Sequence, residues 1–142
     1  MIRSWLFGAA LTCIGALAPL AIRAQETPPA RGKEAPPEIS ADQAPQYVGS
    51  TVTVCDSVAS TRYAERSRGR PTFLNLGRAY PDQLLTVVIW GEYRDRFPEP
   101  PERAYLHRRV CATGTVRLYG GRPEIEVRDP AALRLQRKAP GS

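Results

Sequence analysis

Arginine and aromatic side chains are the residues of this sequence with the clearest chemical potential. Three arginines cluster around Gly69, and others stand with aromatic residues beside turn signals or at the end of an apolar run. Guanidinium groups bind phosphates in a forked geometry, and flat rings stack on bases. The pattern predicts a surface that holds single-stranded nucleic acid, DNA or RNA, with little sequence preference. The predicted contacts are Arg66, Arg68, Arg70, Arg78, Tyr80 and Trp90.

These residues also have structural explanations. An arginine-rich loop can simply be solvated, Trp90 can cap a core at the end of an apolar strand, and Phe73 is expected in the core. Tyr80 is the strongest candidate for stacking, because an aromatic side chain in a loop has fewer packing reasons to be there.

The sequence does not favour catalysis. His107 is the single histidine, it stands beside two arginines, and no carboxylate lies at an obvious partner spacing. The hydroxyl residues lack a nearby histidine or a nucleophile turn, and C-x-x-C spacing is absent. We therefore predict a protein that is not an enzyme, with no cofactor and no metal site.

Two cysteines lie in similar β-type runs. Cys55 stands in VTVCDSV and Cys111 in RRVCATGTV. In an exported protein such a pair favours a disulfide, whose loop closure would contribute about 4 kcal/mol. The alternative is a pair of buried free thiols that pack as small apolar residues.

The ends of the sequence predict export. Residues 1–24 combine Arg3, an apolar run from Trp5 to Ile22, and Ala24 before a cleavage point, which is typical of a signal peptide. The alternative is a retained membrane anchor, although Pro19 interrupts the run. Cleavage would leave no membrane span, lower the net charge from +6 to +4 and place the protein in the periplasm or outside the cell. Residues 25–40 read as a proline-rich disordered linker, 41–130 as the folded domain and 131–142 as a basic flexible tail.

Hydrophobic alternation and turn residues predict five strands that must position the candidate side chains. Prolines 98, 100 and 101 leave room for at most one short helix after the third strand. The predicted strands are Ser50 to Tyr63, Thr72 to Leu76, Leu84 to Trp90, Arg109 to Tyr119 and Pro123 to Arg128.

The segments TFLNLG, TVVIW and RVCATGTVRLYGGRPEIEV resemble OB-fold domains of the nucleic-acid-binding type, as found in tRNA-anticodon-binding and helicase-associated modules. The resemblance extends from Gly49 to Arg128. It implies an all-β fold, a five-stranded OB-fold Greek-key barrel with at most one short helix between strands 3 and 4. It places ligands across strands 2 and 3 and against the loops after strands 1 and 4, which adds Phe73, Asn75 and Arg122 to the candidate surface.

Two other functions fit the same pattern. The barrel could be a structural or protein-interaction module of the cell envelope, or it could bind an oligosaccharide or small ligand. Neither alternative requires nucleic acid.

Overall fold

The structure, a computed structural model, describes residues 34–136 and, apart from these, only Gly15. The predicted signal peptide other than Gly15, most of the predicted linker and the end of the predicted tail lie outside the described residues. In the described part of the chain, no helix is long and apolar enough to cross a membrane.

Seven strands and four short helical segments make up the described fold. The helical segments are the 3₁₀ helix Ala41–Tyr47, α1 (Gly91–Arg94), α2 (Pro101–Ala104) and the 3₁₀ turn Pro130–Ala132. The strands are β1 (Glu38–Ile39), β2 (Thr51–Tyr63), β3 (Thr72–Leu76), β4 (Leu85–Ile89), β5 (Arg109–Tyr119), β6 (Arg122–Glu126) and β7 (Leu133–Leu135).

Strands β2 to β6 close into a barrel. The long β2 pairs with β5 along its first half and with β3 along its second half, so it joins both ends of the sheet. The order continues β3, β4, β6, β5, and β4 and β6 run parallel while the other neighbours are antiparallel. This is the strand order of the five-stranded Greek-key barrel called the OB fold. The predicted fold class is confirmed.

A register shift between Val58 and Ser60 lets β2 serve both halves of the barrel. Val52, Val54 and Val58 are fully buried, as the period-two pattern predicts. Ala59 is the extra residue of the bulge, and such a residue bends a strand and reverses the alternation that follows. Ser60 and Arg62 therefore lie on the outer surface of the barrel.

Aliphatic side chains from all five barrel strands fill the interior. Each fully buried one contributes about 1.5–3 kcal/mol relative to exposure. A Cβ atom at Gly114 on β5 would lie 2.6 Å from Ile125 Cγ2, so a larger residue there would force the Ile125 side chain to move. The largest interior side chains are Leu74, Leu76, Leu85, Ile89, Ile125, Val52, Val54, Val58, Val87, Val110 and Val116.

Cys55 and Cys111 form a disulfide between β2 and β5. The two residues are direct cross-strand partners with Cα atoms 4.1 Å apart, and their side chains lie on the outward face of these strands. The predicted bridge is confirmed, and the free-thiol alternative is excluded. Glu38 lies near both sulfur atoms, but sulfurs joined in a disulfide are not thiolate ligands for a metal.

The folded unit is larger than the predicted domain 41–130. β1 pairs in parallel with β2, within the predicted linker, and β7 pairs with β5, within the predicted tail. Ile39 and Leu133 are 7% and 2% exposed, so both belong to the core. Each of these strands contributes so few apolar residues that no periodic pattern marks it in the sequence.

The connection between β4 and β5 holds two one-turn helices, where the sequence predicts at most one. Both are four residues long. Pro98 and Pro100 separate them, and Pro101 starts the second because its fixed φ suits the first helical position.

Candidate functional site

A groove of about 640 Å³ crosses the outer surface of the barrel. Its floor comes from the outward side chains of β2, β3, β4 and β6. The loop between β3 and β4 and the hairpin between β5 and β6 supply its rims. We refer to this site as the groove and define it by Ser60, Asn75, Thr86, Tyr80, Tyr119 and Arg122.

One polar row runs straight across the floor. Ser60, Asn75, Thr86 and Glu124 are successive cross-strand partners on β2, β3, β4 and β6. Neighbouring strands are about 4.8 Å apart, so the row spans about 14 Å. This length is enough for several contacts with an extended ligand.

Hydrogen bonds connect the first three members of this row. Asn75 Nδ2 donates to Ser60 Oγ at 3.0 Å, and Thr86 Oγ1 donates to Asn75 Oδ1 at 3.3 Å. The Tyr80 backbone N–H also donates to Ser60 Oγ, at 3.1 Å. The floor is thus a connected polar network that also anchors the β3–β4 loop.

A second row lies one step along the strands. Arg62, Phe73 and Val88 are cross-strand partners on β2, β3 and β4, and Arg62 and Phe73 line the groove. Phe73 is half-buried on the outer surface, whereas the sequence places it in the core. Leu74 and Leu76 occupy the interior positions of β3, so alternation directs Phe73 outward.

Two exposed tyrosines stand at the rims. The side chain of Tyr80 is 71% exposed and that of Tyr119 is 76% exposed. Tyr80 precedes Pro81 through a cis peptide bond. Tyr119 precedes the Gly120–Gly121 turn, in which both glycines have positive φ as a two-residue hairpin requires.

Arg122 connects the two rims. Its Nη1 donates to the Pro81 carbonyl oxygen and, at 3.3 Å, to Gln83 Oε1. Gln83 Nε2 in turn donates to Thr86 Oγ1 at 3.3 Å. Arg122 therefore holds the β5–β6 hairpin against the β3–β4 loop while remaining exposed to solvent.

The structure divides the predicted contacts between two places. Tyr80 and Arg122 line the groove, and Arg78 is exposed on the same loop as Tyr80. The other four precede β3 or follow β4, at the opposite end of the hairpin that these strands form. They are Arg66, Arg68, Arg70 and Trp90.

Trp90 packs under the β2–β3 loop. Its side chain is half-buried, and a Cβ atom on Gly69 would lie 2.9 Å from Trp90 Cε3. Arg66, Arg68 and Arg70 are exposed on that loop. This end of the barrel therefore offers positive charge to a ligand, while its indole ring has a packing partner within the protein.

Several residues of the groove are not among the nucleic-acid contacts predicted from the sequence. Alternation along β4 and β6 could have identified Thr86 and Glu124, because their neighbours are the buried Leu85, Val87 and Ile125. Ser60 and Arg62 face the groove only because of the bulge at Ala59. The other groove residues that were not predicted are Thr61, Gln83, Tyr119, Gly120 and Pro123.

Not every arginine is free to bind a ligand. Arg94 forms a two-pronged ion pair with Glu102, with N–O distances of 2.7 and 2.8 Å, and it donates to Thr72 Oγ1. Its guanidinium also lies 3.8 Å from the ring centre of Tyr63. The hydrogen bond from Arg94 lowers the pKa of Glu102. These contacts fasten α1 and α2 to the barrel.

The groove also contains a carboxylate with an altered pKa. Partial burial raises the pKa of Glu124, and the charge of Glu126 raises it further. Glu126 itself pairs with Arg128 at 2.6 Å. The groove is therefore not uniformly positive.

The strand order defines the class of protein, an OB-fold barrel, and the groove crosses the strand face on which that fold usually binds ligands. No family model matches the chain, and no curated protein matches it. Among solved structures, one described as an aspartyl-tRNA synthetase from Leishmania major Friedlin is similar, with 15% identity and a TM-score of 0.45. The match covers 75% of this chain and 22% of that one, so the chain spans about a fifth of its length. The OB assignment rests on the strand order and not on this likeness.

Proposed function

We propose that the barrel binds single-stranded nucleic acid in the groove and that it acts as a binding protein rather than an enzyme. The observation that carries the proposal is the pair of largely exposed tyrosines beside a hydrogen-bonded polar floor. A base stacked on an aromatic side chain contributes about 1–3 kcal/mol with little dependence on its identity. Rings of this kind therefore suit strands of mixed sequence.

Positive charge supports the same proposal. Arg62 and Arg122 lie in the groove, Arg78 lies beside it, and three more arginines stand on the β2–β3 loop. A strand that lies along the hairpin of β3 and β4 would meet phosphate-binding groups at both ends. The chain carries a net charge of +6, which becomes +4 without residues 1–24, and either value favours attraction to a polyanion.

We further propose that the protein works in the periplasm or outside the cell. The signal-peptide pattern of residues 1–24 supports export, and a disulfide is typical of an oxidising compartment. Single-stranded nucleic acid would then be met outside the cytoplasm. We also propose that a protein of the cell envelope is a partner of this protein.

The first test is binding of a fluorescently labelled twelve-nucleotide oligo(dT) by anisotropy at several salt concentrations. We expect binding at low salt and a linear fall of log K with log salt, because bound arginines release counterions from the strand. Absence of binding at low salt, or affinity that is independent of salt, would contradict the proposal.

Tyr80 variants test the stacking contact. Tyr80→Ala should weaken binding about fivefold or more, while Tyr80→Phe keeps the ring and should bind nearly as well as the wild type. The melting temperature should hardly change, because the side chain is exposed. Unchanged affinity of Tyr80→Ala would remove Tyr80 from the binding surface.

An oligosaccharide is the second candidate ligand. The amide and hydroxyl groups of Asn75, Ser60 and Thr86 with exposed tyrosines nearby also suit a neutral polar chain. Binding of a glycan would persist at high salt, because no counterions are released. The salt series therefore separates the two candidates.

A further inference from the structure

We infer that Glu124 gives the groove a base preference, for guanine over thymine and uracil. The inference rests on the proposed function, and it goes beyond binding without sequence preference. Among the described residues that line the groove, Glu124 is the single acidic one. It stands at the end of the polar row, next to Thr86 and opposite Arg117 on β5.

The carboxylate of Glu124 is available to a ligand. Within residues 34–136 the side-chain ion pairs are Arg94–Glu102 and Arg128–Glu126, and Glu124 belongs to neither. Every buried side-chain nitrogen or oxygen in this range has a hydrogen-bond partner. Because Glu124 is half-buried and takes part in no hydrogen bond between described side chains, its oxygens are accessible from the groove.

Charged and titratable groups approach this carboxylate from several elements. Arg117 faces it from β5, and Arg122 and Glu126 flank it on β6. Arg62 from β2 and the phenols of Tyr80 and Tyr119 line the same groove. On β4, the cross-strand partner of Glu124 is the uncharged Thr86. Partial burial disfavours the ionised form and raises the pKa of Glu124. A hydrogen-bond donor on a ligand would stabilise the ionised form of Glu124.

The chemistry of a carboxylate determines which part of a nucleotide can occupy this position. An ionised carboxylate only accepts hydrogen bonds, and it repels a phosphate. Guanine presents two adjacent donors, N1–H and the N2 amino group, which match the two carboxylate oxygens. Thymine and uracil offer one N–H between two carbonyl oxygens, and those oxygens repel the carboxylate. Stacking near Tyr80 or Tyr119 would bring a base edge, rather than the backbone, towards Glu124.

The experiment compares two labelled twelve-nucleotide strands, oligo(dT) and the same strand with one central dG. The full protein should bind the dG-containing strand about fivefold more tightly or better, since a good bidentate contact discriminates by about 1–3 kcal/mol. Glu124→Gln should reduce this ratio to below about twofold, because the amide places a donor against a donor. The ratio of the two affinities is the readout, so a general effect of the substitution on strand binding cancels.

Glu126→Gln is the matched control. It makes the same change of charge two residues away on the same outward face, beyond the groove, and it should keep the dG preference. The preference of the wild type should also decline as the pH falls through the pKa of Glu124, whereas that of Glu124→Gln should not. Circular dichroism confirms that each variant is folded.

The outcomes separate the inference from the proposed function. Failure to bind either strand would overturn the proposed function. Equal binding of both strands by the wild type, or a dG preference that survives in Glu124→Gln, would overturn the role of Glu124 and leave strand binding intact.

Discussion

At the scale of single residues, the arginines of this chain have different roles. Arg94 is occupied by an ion pair, a hydrogen bond and an aromatic ring, whereas Arg66, Arg68 and Arg70 are exposed. The sequence shows all of them as basic residues near aromatic ones. Only their positions in space separate the structural arginine from those that are free to meet a phosphate.

The Arg94–Glu102 pair should make stability depend on pH. The pKa of Glu102 is lowered in the folded state, so its ionised form contributes stability above its unfolded pKa of about 4.3. That contribution is lost as the pH falls through the lower, folded value. Glu102→Gln should be less stable at pH 7 and should lose less stability on acidification than the wild type.

Urea unfolding between pH 7 and pH 3 measures this difference. Glu99→Gln, an exposed position in the same connection, is the control and should follow the wild type. Parallel pH profiles for Glu102→Gln and the wild type would show that the pair does not couple stability to protonation.

At the scale of elements, β2 holds the barrel together. It pairs with β5 and β3, its bulge turns Ser60 and Arg62 towards the groove, and its Cys55 is bridged to β5. The bridge joins residues 56 positions apart in sequence. It therefore restricts the unfolded chain as well as the folded one.

Replacement of both cysteines by serine should lower the free energy of unfolding by about 4 kcal/mol, because the unfolded chain regains the entropy of a long loop. Urea unfolding measures the difference, and reduction of the wild type with dithiothreitol is the matching treatment. The strand pairing of β2 and β5 should persist in the folded state. An unchanged unfolding midpoint would contradict a stabilising role for the bridge.

At the scale of the whole molecule, the barrel is completed by strands from outside its five-strand core. β1 and β7 extend the sheet beside β2 and β5, and their residues Ile39 and Leu133 enter the hydrophobic core. The stable unit therefore includes residues that composition alone assigns to a linker and a tail.

Leu133 and Leu135 provide a matched pair for testing this extension. Both belong to β7, but Leu133 is 2% exposed and Leu135 is 43% exposed. Leu133→Ala should cost about 2–5 kcal/mol of unfolding free energy, and Leu135→Ala less than about 1 kcal/mol. Equal, small effects in thermal or urea unfolding would place β7 outside the cooperative unit.

Much of the fold could be predicted from the sequence because its signals are local. Thr72–Leu76 and Arg109–Tyr119 have the predicted bounds, and the other barrel strands differ by at most two residues at either end. Alternating apolar residues mark the strands, and Gly120–Gly121 marks a turn, each within a short stretch of sequence. The two cysteines indicate one pairing. The sequence could not reveal β1 and β7, since their stability comes from strands elsewhere in the chain.

By itself, the sequence determined the five barrel strands and their turns, because period-two burial and turn geometry are properties of neighbouring residues. It favoured a disulfide, but only the register of β2 and β5 brings Cys55 and Cys111 together. The tertiary structure alone decided the groove. Ser60, Asn75, Thr86 and Glu124 meet in one row through strand register, and the bulge at Ala59 sets which side of β2 joins them. A shift of one residue turns every following side chain to the other face, and it depends on how the whole barrel closes.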